Sequence, residues 1–168
     1  FTWRMLLTFR TLVLGIGNNL LSDEGVGIHT INYLAQRYPR LQDVEFMDGG
    51  TLSYTLAEPI SRAQGLIVVD SARLDTEPGS IRQFEGADMD SYLKGHRGSV
   101  HEVGLAELID MSRLTGDMPD HRCLIGIQPL SLDWGEAPTP KVDAAIPIAA
   151  GMVMETIRRW TAAEPVSD

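Results

Sequence analysis

The sequence is poor in cysteine, in basic residues and in long apolar runs, and each shortage excludes a class of protein. A single cysteine among 168 residues excludes an internal disulfide framework and is typical of a reducing compartment. The 14 Lys and Arg residues are outnumbered by 23 Asp and Glu and form no cluster, so we expect no nucleic-acid partner. The net charge of -9 better suits a partner with a basic segment. Because no apolar run is long enough to cross a bilayer, we expect no membrane partner and a cytoplasmic protein.

Three signatures of nucleophilic or nucleotide chemistry are also missing. No G-x-S-x-G nucleophile elbow is present. Gly15 and Gly17 lack the G-x-G-x-x-G spacing of a dinucleotide site, and the carboxylate of Glu24 would repel a pyrophosphate. Cys123 begins an apolar run, so we predict that it fills space in the core and is not a nucleophile. A small nucleotide-binding module is therefore disfavoured.

The length and composition predict a single domain over residues 1–168, because a hydrophobic fraction of 43% suits one core. Residues 1–10 are an extension or the lead-in to the first strand, and Met5 is a candidate natural start. The polar tail 162–168 is predicted to fray. We expect the protein to act as a monomer.

The stretch from Thr11 to Gly27 organises the rest of the chain. Its first residues are apolar and partly β-branched, which predicts a strand buried on both faces. Gly15 and Gly17 then predict a turn. Ser22 is placed to cap a helix, and the two acids that follow it would lie in the first turn, where the helix dipole favours them. The stretch is therefore predicted to be the first half of a βαβ unit.

The remaining elements alternate between strands and helices. Further strands are predicted at 44–47, 66–69, 80–84 and 123–127, and 80–84 has the pattern of an edge or half-exposed strand. Helices are predicted at 26–38, 51–61, 99–116 and 142–160. Thr51 is the predicted cap of the second helix, and residues 99–102 form a capping box. Residues 86–98 are predicted to be a loop with one irregular helical turn. The pattern predicts an α/β fold of three layers, a mostly parallel twisted sheet of about five strands with helices on both faces.

Four polar residues follow or end consecutive predicted elements. Glu24 follows the first strand, Asp48 ends the second, Asp70 ends the third, and His101 opens a helix beyond the fourth. Because the carboxyl ends of parallel strands share one edge of the sheet, these residues are predicted to converge. Two carboxylates and one neutral imidazole suit a divalent metal such as zinc or nickel and leave coordination positions open.

Each of these residues also has a purely structural interpretation. Asp48 and Asp70 can accept hydrogen bonds from the turns that follow them. A lone histidine is more often structural or exposed than a ligand. His29, His96 and His121 serve as comparisons, because none of them has a companion carboxylate in a matching position.

A series of short motifs occurs in a fixed order between about Thr11 and Trp160. They are Gly15-Ile16-Gly17-Asn18, Asp23-Glu24-Gly25-Val26-Gly27, Asp48-Gly49-Gly50-Thr51, Val69-Asp70, His101-Glu102-Val103-Gly104-Leu105, Gly126-Ile127-Gln128-Pro129 and Pro138-Thr139-Pro140-Lys141-Val142. Together they closely resemble the hydrogenase maturation endopeptidases. Each motif alone is weak, but the set in this order is specific.

The resemblance implies a parallel sheet flanked by helices and a metal-dependent endopeptidase activity. Members of this family remove a short C-terminal peptide from the precursor of a nickel–iron hydrogenase large subunit after nickel insertion. The implied partner is therefore the C-terminal region of that nickel-loaded precursor. A non-proteolytic nickel-binding chaperone of hydrogenase maturation is the alternative from a different class.

The resemblance also implies the site residues. Glu24, Asp70 and His101 fall on positions that contact metal and take part in catalysis. The substrate-recognition loop comprises Asp48, Gly49, Gly50 and Thr51. The implied metal is nickel, carried by the substrate precursor, with zinc or another divalent metal possible in its place. Whether the enzyme owns a metal or binds the nickel of its substrate stays open at this point.

Overall fold

The computed structural model describes residues 8–96 and 104–163. Five strands form one sheet in the order β2-β1-β3-β5-β4, and only β4, at one edge, is antiparallel to its neighbour. The strands are β1 Thr11–Gly15, β2 Val44–Asp48, β3 Gly65–Ser71, β4 Ile81–Glu85 and β5 His121–Ile127. The helices are α1 Val26–Arg37, α2 Ala57–Arg62, α3 Ala87–Gly95, α4 Leu105–Leu114 and α5 Pro140–Ala163. The predicted α/β architecture is confirmed.

Two hydrophobic layers cover the sheet. Successive side chains of a strand point to opposite faces, so alternate residues of β1, β3 and β5 enter different layers. One layer contains α1 and α5, with Val13, Ile67, Val69 and Ile125 from the strands. The other contains residues of α2, α3 and α4, with Leu12, Leu14, Leu66, Val68 and Leu124 from the strands. Within the described residues, no helix is both long and apolar enough to span a membrane.

The order of the strands creates a crevice between β1 and β3. The chain moves from β1 through α1 to β2, then returns through α2 to β3 on the other side of β1. In open α/β sheets, ligands bind beyond the carboxyl ends of the strands at such a reversal. The backbone N–H of Ile16, just after β1, donates to Val69 O of β3 at 3.0 Å, so the crevice opens directly beyond this hydrogen bond.

The second predicted helix is wrong at its beginning. A 3-10 turn over Tyr54–Leu56 precedes a short α2, and Thr51 lies outside both. The cause is the backbone before them, since Gly50 and Leu52 have φ values of 52° and 64°. A left-handed backbone cannot belong to an α-helix, so the chain has to complete a turn before α2 begins.

The predicted loop at 86–98 is also wrong, because α3 occupies most of it. Only Met89 and Leu93 of this helix are buried, and they are spaced at i, i+4. So narrow an apolar stripe on a polar helix gives weak periodicity. The predicted helix over 99–116 is too long, because Gly104 is extended and α4 begins at Leu105. The predicted capping box lies outside the described residues.

Candidate active site

Gly17 brings the turn that carries Glu24 against the end of β1. It has a φ of 137°, and a side chain there would place a Cβ 1.9 Å from Glu24 O. Only glycine allows this approach. A 3-10 turn over Ser22–Gly25 follows, and it holds Glu24 at the carboxyl edge of the sheet, partly exposed. The glycines of this stretch therefore serve close packing of the backbone.

The predicted helix cap at Ser22 is wrong. Ser22 has a φ of 51° and begins the 3-10 turn, and its hydroxyl donates to Asp133 O at 2.8 Å. The N-cap of α1 is Gly25, which makes no side-chain capping hydrogen bond. The extra turn thus lies between the strand and the helix, and the local sequence pattern did not indicate it.

Asp23 has a role that the sequence did not indicate. Its side chain is completely buried, and it accepts hydrogen bonds from the backbone N–H groups of Leu130, Ser131 and Thr139 at 2.8, 3.0 and 2.6 Å. The hydroxyl of Thr139 donates to the same carboxylate. Burial alone would raise the pKa of Asp23, but these hydrogen bonds outweigh it and hold the pKa below its ordinary value. Asp23 therefore ties residues 130–139 to the turn before α1.

Asp70 lies near the end of β3 and is half-buried. The alternation along the strand places its side chain on the face covered by α2, α3 and α4. Burial raises the pKa of Asp70 well above its ordinary value; the backbone of Ser71 lowers it in part, and the carboxylate of Glu24 raises it further. Glu24 and Asp70 are thus within electrostatic range of each other, on either side of the crevice.

Tyr92 of α3 is within electrostatic range of Asp70, and the sequence did not indicate it. Burial raises the pKa of Tyr92, and the carboxylate of Asp70 contributes to the rise. The ring stacks between Phe84 and His96, with centroid distances of 4.4 and 4.0 Å. The sequence would have indicated Tyr92 only if α3 had been recognised. The signals for α3 are its buried residues Met89 and Leu93 and its acidic first turn.

The loop after β2 lies beside the crevice, on the far side of β1. Asp48 is exposed and pairs in register with Gly15, and its Oδ1 accepts the backbone N–H of Gly50 at 2.8 Å. The N–H of Gly17 in turn donates to Gly50 O at 2.8 Å, which fixes the loop to the turn after β1. Asp48 ends β2 and Asp70 lies near the end of β3, and these two strands lie on either side of β1. Their backbones are therefore two strand spacings apart, or about 10 Å. Asp48 therefore flanks the pair of carboxylates and does not join it.

The histidines differ in position. His101 lies outside the described residues, so its predicted role stays a prediction. His96 follows α3, His121 begins β5, and His29 lies within α1 with a buried Nε2 that has no hydrogen-bond partner. Within residues 8–96 and 104–163, no group of three His, Cys, Asp or Glu side chains is arranged to hold a metal ion. The two described members of the predicted set are Glu24 and Asp70.

Cys123 is buried in β5, as predicted for a residue that fills space in the core. Burial raises the pKa of its thiol to about 12. Because the thiolate is the nucleophilic form, Cys123 is inert at neutral pH. The nucleophile of any hydrolysis at this edge of the sheet must come from elsewhere.

The family model of the hydrogenase maturation proteases matches residues 28–156, which is most of the chain. The chain belongs to this family. It is 34% identical over 150 residues to the hydrogenase 2 maturation protease of Escherichia coli K12, covering 89% of this chain and 91% of that relative. It is 35% identical over 152 residues to the hydrogenase expression/formation protein HupD of Bradyrhizobium diazoefficiens, covering 90% of this chain and 79% of HupD.

Solved structures of the family have the same fold. The hydrogenase maturating endopeptidase HybD from E. coli superimposes with a TM-score of 0.82 and 31% sequence identity, over 90% of this chain and 93% of HybD. A hydrogenase maturation protease, HycI, from Thermococcus kodakarensis superimposes with a TM-score of 0.71 at 22% identity, over 89% and 93%, and supports the fold alone. The crevice that carries Glu24 and Asp70 thus belongs to a maturation endopeptidase.

Proposed function

We propose that this endopeptidase removes a C-terminal peptide from the nickel-loaded precursor of a nickel–iron hydrogenase large subunit. The observation that carries the proposal is the convergence of Glu24 and Asp70 at the crevice between β1 and β3. Membership of the maturation protease family supplies the reaction class. The nickel and the identity of the substrate rest on the resemblance of the motifs around these residues.

We propose that the two carboxylates contact the nickel of the precursor, which is part of the substrate. The mutual repulsion of Glu24 and Asp70 contributes to the raised pKa of Asp70, and a bound divalent cation would remove that repulsion. His101 is the proposed third ligand, on the evidence of its motif alone. Zinc or another divalent metal could take the same place. A cation held at this position would polarise the carbonyl group of the bond to be cut.

Hydrolysis also needs a group that takes a proton from the attacking water and returns it to the leaving amine. We assign this role to Glu24, because it is partly exposed at the crevice and close to Asp70. Asp48 is less suitable, since it lies on the far side of β1 from Asp70. We therefore assign Asp48 to the recognition of the precursor, together with Gly49, Gly50 and Thr51.

The test is the incubation of purified precursor, with and without nickel, followed by mass spectrometry. Wild type is expected to shorten only the nickel-loaded precursor, and Glu24→Gln, Asp70→Asn and His101→Ala are expected to lose this activity. Asp120→Asn is the matched control. Asp120 is an exposed acid just before β5, at the amino ends of the parallel strands and thus at the other end of the sheet from the crevice. A wild-type protein that binds the nickel-loaded precursor without shortening it would instead support a nickel-binding chaperone.

A further inference from the structure

Two loops beside the crevice expose large apolar side chains. We call them the paired loops: residues 18–25, before α1, and residues 128–139, between β5 and α5. Leu20 belongs to the first loop, and Leu130, Leu132 and Trp134 belong to the second. Their side chains are between 46% and 80% exposed, and Trp134 has the highest value. Such a concentration of exposed apolar side chains on neighbouring loops indicates a binding surface.

The paired loops hold these side chains in a fixed arrangement. The N–H of Gly135 donates to Leu20 O at 2.9 Å, and the N–H of Ser22 donates to Gly135 O at 2.8 Å. The buried carboxylate of Asp23 binds the N–H of Leu130 in addition. The apolar side chains are therefore presented by a cross-linked backbone, which reduces the entropy lost when a partner binds.

The surface is continuous with the proposed site. Glu24 belongs to the first paired loop, and its N–H donates to Leu21 O at 3.1 Å. A polypeptide whose reacting bond lies at Glu24 has to extend across residues next to it. The paired loops are thus placed to contact the substrate on one side of the bond that is cut.

The charges of these loops define the chemistry of the partner. Residues 18–25 and 128–139 contain no Lys, Arg or His, and the loop 48–54 on the other side of the crevice contains none either. Asp133 and Glu136 are exposed among the apolar residues. Complementarity therefore favours a segment that carries apolar side chains together with positive charge. A second copy of this chain, with its own net charge of -9, fits less well.

We infer that Leu20, Leu130, Leu132 and Trp134 form a docking surface for an apolar, basic segment of the precursor next to the bond that is cut. The inference rests on the proposed function and adds a second contact region to the same site. Its role is to bind and orient the precursor. The side chains take no part in the chemical step.

The first experiment measures the processing of the nickel-loaded precursor by the double variant Leu132→Ala/Trp134→Ala. We expect about a tenfold rise in KM with kcat changed by less than about twofold, because truncated anchor residues weaken binding. Leu114→Ala and Ile148→Ala are matched controls, since these residues are 88% and 62% exposed but lie on α4 and α5. The controls should process the precursor as wild type does, and all the variants should unfold at the wild-type midpoint.

The outcomes distinguish this inference from the proposed function. A wild type that never shortens the precursor overturns the proposed function, and the inference with it. If wild type cuts the precursor and the double variant has the same KM as wild type, the inference is overturned and the proposed function stands. Sedimentation of the free protein adds a further outcome. A wild-type dimer that the double variant dissociates would assign the surface to a second copy and overturn the inference.

A charge reversal tests the basic character of the partner segment. Glu136→Lys is expected to raise KM by about threefold at low ionic strength, and the difference should shrink as salt screens it. Asp117→Lys, at an exposed acid between α4 and β5, at the amino ends of the parallel strands, is the control. A lower KM in Glu136→Lys would show that the partner segment is acidic and would overturn the inference.

Discussion

Asp23 and Asp70 lie at the same edge of the sheet, yet their surroundings change the pKa of the two carboxyl groups in opposite directions. Asp23 is completely buried and accepts three backbone N–H groups and the hydroxyl of Thr139, and its pKa is lowered. Asp70 is half-buried, and its pKa is raised, because burial and the nearby Glu24 outweigh the backbone of Ser71.

The comparison shows that the number of donors, and not burial alone, decides what a buried carboxylate does. Asp23 has its lone pairs occupied by hydrogen bonds, so it is fixed in the ionised form and holds two segments together. Among residues 8–96 and 104–163, Asp70 has no such set of donors, and its carboxylate repels that of Glu24. A proton or a cation would relieve this repulsion. The first residue is therefore suited to structure and the second to chemistry.

The largest effect is expected from Asp70→Asn, which tests the chemical half of the comparison. We predict a loss of processing of about 10²–10⁴-fold, the range typical of a missing acid–base or ligand group. The free energy of unfolding should stay the same or rise, because the neutral amide removes a half-buried charge that Glu24 repels. Quantitative mass spectrometry of the precursor and urea unfolding measure the two quantities. Processing within about threefold of wild type would show that Asp70 is a turn residue only.

The second effect tests the structural half. Asp23→Ala leaves the N–H groups of Leu130, Ser131 and Thr139 without their acceptor, and we predict a loss of about 3 kcal/mol in the free energy of unfolding. Asp133→Ala, at an exposed acid of the same region, is the control and should lose less than about 0.5 kcal/mol. Equal urea midpoints for both variants would contradict the role assigned to Asp23.

The pH dependence of stability should have opposite signs for the two residues. The lowered pKa of Asp23 gives a contribution that is present above its ordinary value of 3.8 and lost as the pH falls through the folded-state pKa. The raised pKa of Asp70 gives a contribution that is present below 3.8 and lost as the pH rises through its folded-state pKa. Two differences are measured over a range of pH. One is the free energy of unfolding of wild type minus that of Asp23→Asn, and the other is that of wild type minus that of Asp70→Asn. Slopes of the same sign would contradict the comparison.

The parts of this structure that could be predicted from sequence depend on local patterns. The apolar, β-branched runs of β1 and β3 are buried on both faces and indicate central strands, and Asp70 follows from the end of one of them. The alternation of β4 indicated an edge or half-exposed strand, and β4 does lie at one edge of the sheet. Because parallel strands share one edge, the proximity of Glu24 and Asp70 could be predicted without knowing any distance.

The parts that sequence reasoning missed depend on contacts between distant segments. The donors to Asp23 come from residues more than 100 positions later, and no local spacing reports them. The acid therefore looked like a complement to the helix dipole. Tyr92 was missed for a different reason, since α3 buries only two apolar residues and resembles a polar loop. In both cases tertiary packing, and not intrinsic propensity, determines the structure.

The smallest effect on stability is expected from Asp48→Asn, which extends the comparison to a third acid at the same edge. Asp48 is exposed, and its Oδ1 accepts the N–H of Gly50. Asparagine keeps that oxygen, so we predict a change of less than about 0.5 kcal/mol in the free energy of unfolding. Since an exposed ionic contact is worth under about 1 kcal/mol, KM for the nickel-loaded precursor should rise by less than about fivefold.

The informative readout for Asp48→Asn is selectivity, because Asp48 flanks the proposed metal contacts without joining them. We predict that the variant, unlike wild type, also shortens the nickel-free precursor, since the loop then no longer rejects it. Glu45→Gln is the matched control, an exposed acid in the same strand that should retain wild-type selectivity. If the variant discriminates between the two precursors as sharply as wild type, Asp48 only stabilises its turn and does not take part in recognition. If the variant shortens neither precursor, as expected for Asp70→Asn, Asp48 takes part in the chemical step instead.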